Sequence, residues 1–209
     1  MMLRGLYVIT DEFLIKDEEL EKKVELAILG GAKVVQLRDK NFDYNKKFER
    51  AKRILKIIRK YNALLIINDD PILAREVNAD GVHLGKDEDY YFSFARQMLR
   101  NKIIGVSCYG DLERAIKFQN LGADYVAFGS VFPTKTKKSD VLKTIEIFKW
   151  AKSLLKIPIV AIGGINYENA KILVKMGVDM IAVVSAVFSG DVYSNSKKLS
   201  SIFDVPGRT

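Results

Sequence analysis

Short apolar runs rich in β-branched residues recur along the chain, and the stretches between them carry apolar residues at three- and four-residue spacing. Eight runs stand out: LYVIT at 6–10, VVQLR at 34–38, LLIIN at 64–68, GVHL at 81–84, IIGVS at 103–107, YVAFG at 125–129, IPIVAIGG at 157–164 and MIAVVS at 180–185. Each is near strand length and apolar on both faces, as parallel strands covered on both sides are. The segments 18–29, 45–61, 112–121, 142–155 and 167–176 have the helical period, and shorter helices are expected over 71–77 and 90–99. For 193–209 the pattern leaves two options open, a packed final helix or a frayed end. The triplets Gly30-Gly31-Ala32, Gly122-Ala123-Asp124 and Gly177-Val178-Asp179 read as helix C-caps running into short loops, weak echoes of one repeated unit.

Strict β-then-α alternation over eight units predicts an α/β fold with one domain over residues 1–209, a single (β/α)8 TIM barrel. An open doubly wound sheet usually has fewer units and flanking edge strands. At 209 residues the chain is short against the roughly 250 typical of such barrels, so its connections must be compact.

Composition narrows the function. No apolar run approaches the roughly 20 residues of a membrane span, and the first residues enter a strand without the apolar core of a secretory signal. A cytoplasmic protein with no membrane partner is expected. One cysteine, Cys108, excludes an intrachain disulfide, and one histidine, His83, excludes a histidine-cluster metal site, so any metal must be held largely by oxygen. The net charge of +8 is compatible with nucleic acid, membrane or anionic metabolites, but the cations are interleaved with Glu and Asp and form no aromatic-studded basic stripe. Small anionic molecules are therefore the expected partners, with no nucleic acid, and a homo-oligomer is compatible with the sequence.

In this barrel class the site is built where the strands end, and there the chain is rich in polar groups. Alternation along VVQLRDK predicts Gln36, Arg38 and Lys40 on one side, two cations and an amide facing the mouth together; a salt-bridged strand end is the plainer alternative. Asp69 and the acidic run Asp87-Glu88-Asp89 follow neighbouring strands and offer two carboxylates to one Mg2+, although helix capping explains some of them equally well. Gly163-Gly164 and Ser185 follow the last two strands, where such barrels often hold phosphate on backbone N–H groups, and a Gly-Gly pair by itself is more often a turn. FPTKTK at 132–137 adds Thr134, Thr136 and two lysines on a loop that suits either a substrate cover or a solvated basic segment. His83 reads as a satisfied core histidine at least as well as an acid or base, and no Cys–His or Ser–His nucleophile pair is evident.

The ordered set YVITD from Tyr7, VQLRDK from Val35, IND from Ile67, ADGVHLG from Ala79, IGVS from Ile104, GSVFPTKTK from Gly129, VAIGGI from Val160 and VVSAV from Val183 resembles the thiamine-phosphate synthase family over nearly the whole chain. The resemblance implies an Mg2+-dependent transferase that joins 4-amino-5-hydroxymethyl-2-methylpyrimidine diphosphate to 4-methyl-5-(2-hydroxyethyl)thiazole phosphate, giving thiamine phosphate and pyrophosphate. It implies that Arg38, Lys40, Asn68 and Lys137 hold the diphosphate, that Gln36 and Ser107 contact the pyrimidine, and that Thr134, Thr136, Gly164, Val184 and Ser185 hold the thiazole phosphate. Arg38, Lys40, Lys137 and Ser107 form the expected catalytic set. Asp69 would be one metal ligand, and the second is Asp89 or Glu88, because the loop after HLG departs from the family spacing by one residue. The nearest alternative is a thiazole tautomerase on the same barrel, whose histidine after strand five is replaced here by Tyr109. A non-catalytic barrel that binds thiamine precursors is the alternative from another class.

Overall fold

Eight parallel strands close into a barrel in chain order: β1 (Gly5–Ile9), β2 (Ala32–Leu37), β3 (Leu64–Asn68), β4 (Gly81–Leu84), β5 (Ile103–Tyr109), β6 (Tyr125–Phe128), β7 (Ile159–Ile162) and β8 (Met180–Val183). Closure is made by β1 against β8, with Leu6 beside Ile181 and Tyr7 beside Ala182. The helices are α1 (Leu20–Leu29), α2 (Tyr44–Tyr61), α3 (Pro71–Glu76), α4 (Phe92–Leu99), α5 (Leu112–Asn120), α6 (Ile147–Leu154), α7 (Tyr167–Lys175), α8 (Ser185–Phe188) and α9 (Val192–Ser200). This computed structural model describes residues 3–85, 89–134, 140–142 and 144–204.

The strands are apolar on both faces because each face meets a different core. Side chains pointing outward, such as Val8, Val35, Leu65 and Val126, join the helices in one large cluster. Those pointing inward, among them Tyr7, Ile9, Val34, Ile66, Tyr125, Ala127, Val160 and Met180, fill the barrel. Successive residues of a strand face opposite sides, so Ile9 lies on the same inner face as Tyr7, one layer nearer the C-terminal mouth, and Ala127 stands likewise above Tyr125.

Three aspartates brace the other end of the barrel in the same way. Asp80, Asp124 and Asp179 each precede an even strand and accept from the backbone N–H of Leu65, Ile104 and Ile159 on the preceding odd strand, at 2.8, 2.8 and 2.9 Å. Each also pairs with a helix cation: Arg59, Arg96 and Lys152 respectively. Two of these aspartates close the small-residue triplets seen in the sequence, whose Gly122 and Gly177 take φ of +93° and +97°.

Several expected boundaries shift for identifiable reasons. The seventh strand covers Ile159–Ile162 and not 157–164: Pro158 has no N–H for the ladder, and Gly163 and Gly164 turn out of it with positive φ. The eighth strand stops at Val183, and Ser185 opens α8. Helix α6 begins at Ile147, not at 142, because the Leu142 N–H donates to the Ser130 carbonyl at 2.8 Å and so belongs to the loop. Of the two options for the C-terminal segment, Val192–Ser200 is helical, buries Leu199, and ties back through Ser200 Oγ, which donates to the Gly30 carbonyl at 2.8 Å.

One buried ion cluster orients the segment after β2. Arg50, on the inner face of α2, is fully buried; its Nε donates to Asp39 Oδ2 at 2.7 Å and its Nη1 to Asp17. The guanidinium also lies over the Phe42 ring, 5.0 Å from its centroid. Burial raises the Asp39 carboxyl above its ordinary value, and Arg50 opposes that rise. Asp17 is held well below the usual carboxylate range, chiefly by Lys46 and then by Arg53 and Arg50. With Asp39 drawn back against α2, its neighbours Arg38 and Lys40 are left on the side of the mouth.

Candidate active site

A cavity of about 790 Å³ opens at the C-terminal mouth. Its floor is made by Ile9, Ala127, Ile162 and Ala182, inward side chains of four strands, and its walls by the end of β5 and the loops that follow β1, β2, β6, β7 and β8. That volume lies in the range of pockets that enclose small ligands. Seven of the residues singled out in the sequence line it: Arg38, Ser107, Thr134, Gly163, Gly164, Val184 and Ser185.

Gln36, Arg38 and Lys40 do not converge on one point. Gln36 is buried at the level of Ile9, its neighbour in register, and its amide Nε2 donates to the Tyr7 hydroxyl at 2.6 Å. The Arg38 N–H donates to Thr10 Oγ1 at 3.0 Å, and its half-buried side chain lines the cavity; among the described residues no carboxylate pairs with its guanidinium. Lys40 lies beyond the end of β2, where alternation no longer governs direction, and its Nζ stands 3.9 Å from Asp69 Oδ2 at the rim.

Asp69 is held in an uncommon geometry. Its backbone has φ of +61°, and its N–H donates to the His83 carbonyl at 2.8 Å. Oδ1 accepts from the Gly85 N–H at 3.2 Å, and Oδ2 from Asn68 Nδ2 at 2.6 Å. A non-glycine residue in the left-handed region costs conformational energy, which its surroundings must offset. Here the offset is a carboxylate fixed at the mouth, with Asn68 acting through it. Asp89 opens a 3-10 turn, Asp89–Tyr91, while its side chain lies outside the described set, as do Glu88, Thr136 and Lys137 altogether. Among the described residues no three acidic, histidine or cysteine side chains cluster for a metal. The fixed Asp69 carboxylate nevertheless fits Mg2+, which takes one or two carboxylates and completes its shell with phosphate oxygens and water.

The opposite wall is backbone. Gly164 has φ of +62°, and a Cβ there would stand 2.5 Å from the Pro133 carbonyl oxygen and 2.6 Å from that of Phe132. Only glycine lets the loops after β6 and β7 touch this closely. Asn169 Nδ2 donates to the Gly164 carbonyl at 3.0 Å and fixes the loop from α7. Ser185 and Ala186 line the cavity as the first turn of α8, where backbone N–H groups have no carbonyl within the helix to meet.

Sequence reasoning missed what lies beneath. Across the barrel runs a chain of hydrogen bonds: Gln36 Nε2 to Tyr7 Oη at 2.6 Å, Tyr7 Oη to Tyr125 Oη at 2.9 Å, Tyr125 Oη to His83 Nδ1 at 3.0 Å, and His83 Nε2 to Ser107 Oγ at 2.8 Å. Burial pushes both phenols far above the ordinary tyrosine value, so both stay protonated hydroxyls. The sequence offers no Ser–His nucleophile pair, yet a serine does meet the one histidine. His83 and Ser107 lie on adjacent strands with His83 beside Gly105, which brings their side chains together on the inner face. The arrangement is not a nucleophile triad, because Nδ1 meets a phenol where a triad needs a carboxylate to stabilise the imidazolium. The legible signal was a tyrosine at an inward position of two strands, since a buried phenol needs a partner.

Asp11, Phe13 and Tyr109 also line the cavity without having been singled out as site residues. Asp11 Oδ1 accepts from the N–H of Phe13 and Leu14 at 3.0 and 3.1 Å, which turns the loop and leaves the Phe13 ring 82% exposed beside the opening. Arg114 Nε donates to the Ser107 carbonyl at 2.8 Å and braces that residue from α5.

The sequence profile described as thiamine monophosphate synthase matches residues 6–187. The thiamine-phosphate synthase of Persephonella marina is 45% identical over 202 residues, covering 96% of this chain and 96% of its own. That of Nitrosococcus oceani is 44% identical over 187 residues, 89% of this chain and 86% of its own. Among solved structures, the thiamine phosphate pyrophosphorylase of Pyrococcus furiosus superposes with a TM-score of 0.86 at 40% identity, over 96% of this chain and 95% of that one.

Proposed function

The chain belongs to the thiamine monophosphate synthase family and is a transferase, and on that premise we propose that its barrel mouth joins 4-amino-5-hydroxymethyl-2-methylpyrimidine diphosphate to 4-methyl-5-(2-hydroxyethyl)thiazole phosphate. The observation that carries this reading is the cavity's two-sided anion chemistry. Arg38 lines it with no carboxylate partner among the described residues, and the wall formed by Gly164 and the first turn of α8 offers backbone N–H groups.

In this reading the diphosphate lies between Arg38, Lys40 and Asn68, with Lys137 as a further cation. Thr134, Thr136, Gly164, Val184 and Ser185 receive the thiazole phosphate, and Gln36 and Ser107 address the pyrimidine. Asp69, with Asp89 or Glu88, would hold Mg2+, which when bound neutralises charge on the diphosphate oxygens. The C–O bond to the diphosphate breaks with its electron pair leaving on pyrophosphate, and the lone pair of the thiazole nitrogen closes on the freed methylene carbon. The side chains supply no nucleophile. Arg38 and Lys40 stabilise the departing charge, and the two phosphate sites hold nitrogen and carbon in line. A cytoplasmic setting completes the proposal; no helix among the described residues is long and apolar enough to cross a membrane.

Incubating the protein with both substrates and Mg2+, and measuring both products, tests the reading. Thiamine phosphate and pyrophosphate should form in equal amounts, with neither substrate dispensable. Pyrophosphate released without thiamine phosphate would point to simple hydrolysis and contradict it.

A further inference from the structure

The hydrogen-bond chain beneath the cavity has a direction, and that direction limits what the cavity can read. Gln36 Nε2 donates to Tyr7 Oη, so the amide presents its other atom, the acceptor Oε1, away from Tyr7. Each hydroxyl that accepts one proton passes on its own. Tyr7 O–H then donates to Tyr125 Oη, and Tyr125 O–H to His83 Nδ1. A neutral imidazole that accepts at Nδ1 carries its proton at Nε2 and donates it to Ser107 Oγ. Ser107, which lines the cavity, is left with its own O–H to donate. One end of the chain therefore presents an acceptor and the other a donor. Reversing either end means reversing all five groups together.

We infer that Tyr7, Tyr125 and His83 are positioning residues whose polarised chain fixes the Gln36 amide and the Ser107 hydroxyl, so that the site selects a 4-aminopyrimidine over its 4-oxo counterpart. This rests on the proposed synthase reading and deepens it. An aminopyrimidine carries an exocyclic N–H donor beside a ring-nitrogen acceptor, the complement of Gln36 Oε1 and Ser107 O–H. The oxo ring inverts both, with an exocyclic acceptor beside a ring N–H. Geometry protects the chain from rearranging. The Tyr125 ring stacks on that of His83 with centroids 5.6 Å apart and planes 16° apart, and Tyr7 meets Tyr125 edge-on at 6.1 Å. Both phenols are 1% exposed, so water has no access to supply an alternative partner.

Two measurements test this. His83 is the sole histidine, so in tag-free protein its imidazole 15N signals need no assignment. The chain predicts the Nε2–H tautomer, with Nδ1 unprotonated and accepting from Tyr125. An Nδ1–H tautomer or an imidazolium would overturn the inference without touching the synthase reading. The second is the ratio of kcat/KM for the amino and oxo pyrimidine diphosphates. Wild type should favour the amino substrate by about 100-fold or more, as sites that hydrogen-bond a substrate group do. Tyr125→Phe and Tyr7→Phe each cut the chain, freeing Gln36 from Ser107, and should lower that ratio about tenfold or more. A purely structural role would slow both substrates alike, so an unchanged ratio in folded variants sinks the inference. Wild type that turns over neither diphosphate would sink the synthase reading instead, and the tautomer would still report on the chain whatever the fate of either variant.

Discussion

The ring of Tyr125 occupies the space a side chain would fill at Gly105: a Cβ there would stand 1.9 Å from Cζ of that ring. Gly105 lies beside Tyr125 in the β5–β6 register, on the inner face of the barrel. Even alanine must displace this ring, which stacks on that of His83. Gly105→Ala should therefore cost about 1–3 kcal/mol of stability, the usual result of overpacking, measured by urea denaturation. It should also lower kcat/KM about tenfold or more, since small displacements in a positioned site are expensive. Wild-type turnover in this variant would mean that the ring's place has no bearing on the reaction.

Arg38 has no carboxylate partner to lose among the described residues, so its replacement separates binding from folding. Arg38→Lys should change stability by less than about 0.5 kcal/mol, as surface substitutions away from special features do. It should raise the KM for the pyrimidine diphosphate about tenfold, because an ammonium cannot reproduce a bidentate fork. Thermal melting and steady-state kinetics on the same preparation check both halves.

Gly164→Ala tests the opposite wall. The added Cβ would meet the carbonyl oxygens of Pro133 and Phe132 at 2.5 and 2.6 Å, and the residue would carry the strain of φ at +62°. Calorimetric titration with thiazole phosphate should show affinity weakened about tenfold or more, the equivalent of roughly 1.4 kcal/mol. Affinity equal to wild type would remove this loop from the phosphate site.

Acid should loosen the anchor behind β2. The folded-state value of Asp17 lies below its unfolded value, so its stabilisation is complete above the ordinary carboxylate range and declines as pH falls through it. Asp17 is 35% exposed, and solvent screens its pairs with Lys46, Arg50 and Arg53. Asp17→Asn should accordingly cost only about 1–2 kcal/mol at neutral pH. The gap between variant and wild type should narrow between about pH 5 and pH 2. Denaturant melts across that range decide it; a gap that stays constant would mean the carboxylate's charge is not what stabilises.

The barrel was legible in the sequence because its strands are buried on both faces, which leaves eight apolar runs with helical patterns between them. Arg38, Ser107, Thr134, Gly164 and Ser185 were legible as cavity residues because position at a strand end determines which residues face the mouth, while Val184 came only with the family resemblance. What escaped depends on closure. Tyr7 and Tyr125 are 118 residues apart, and nothing local to either announces the other. Arg50 reads as a solvated charge on an amphipathic helix until the fold sets Asp39 and Asp17 against it. The start of α6 escaped for the same reason, since a loop carbonyl on Ser130 claims the N–H that helical periodicity assigns to a first turn.

Whether the barrel mouth runs a metal-dependent synthase reaction is decided by the rate of thiamine phosphate formation, read as fluorescent thiochrome, while Mg2+ is titrated into wild type and Asp69→Ala. Asp69 is held at the mouth by Asn68 and Gly85 and stands 3.9 Å from Lys40. The wild-type rate should rise from background with Mg2+ and saturate, and a folded Asp69→Ala variant should be at least about 100-fold slower at every concentration. Equal rates in the two proteins, or product formed at full rate with the metal chelated, would contradict it.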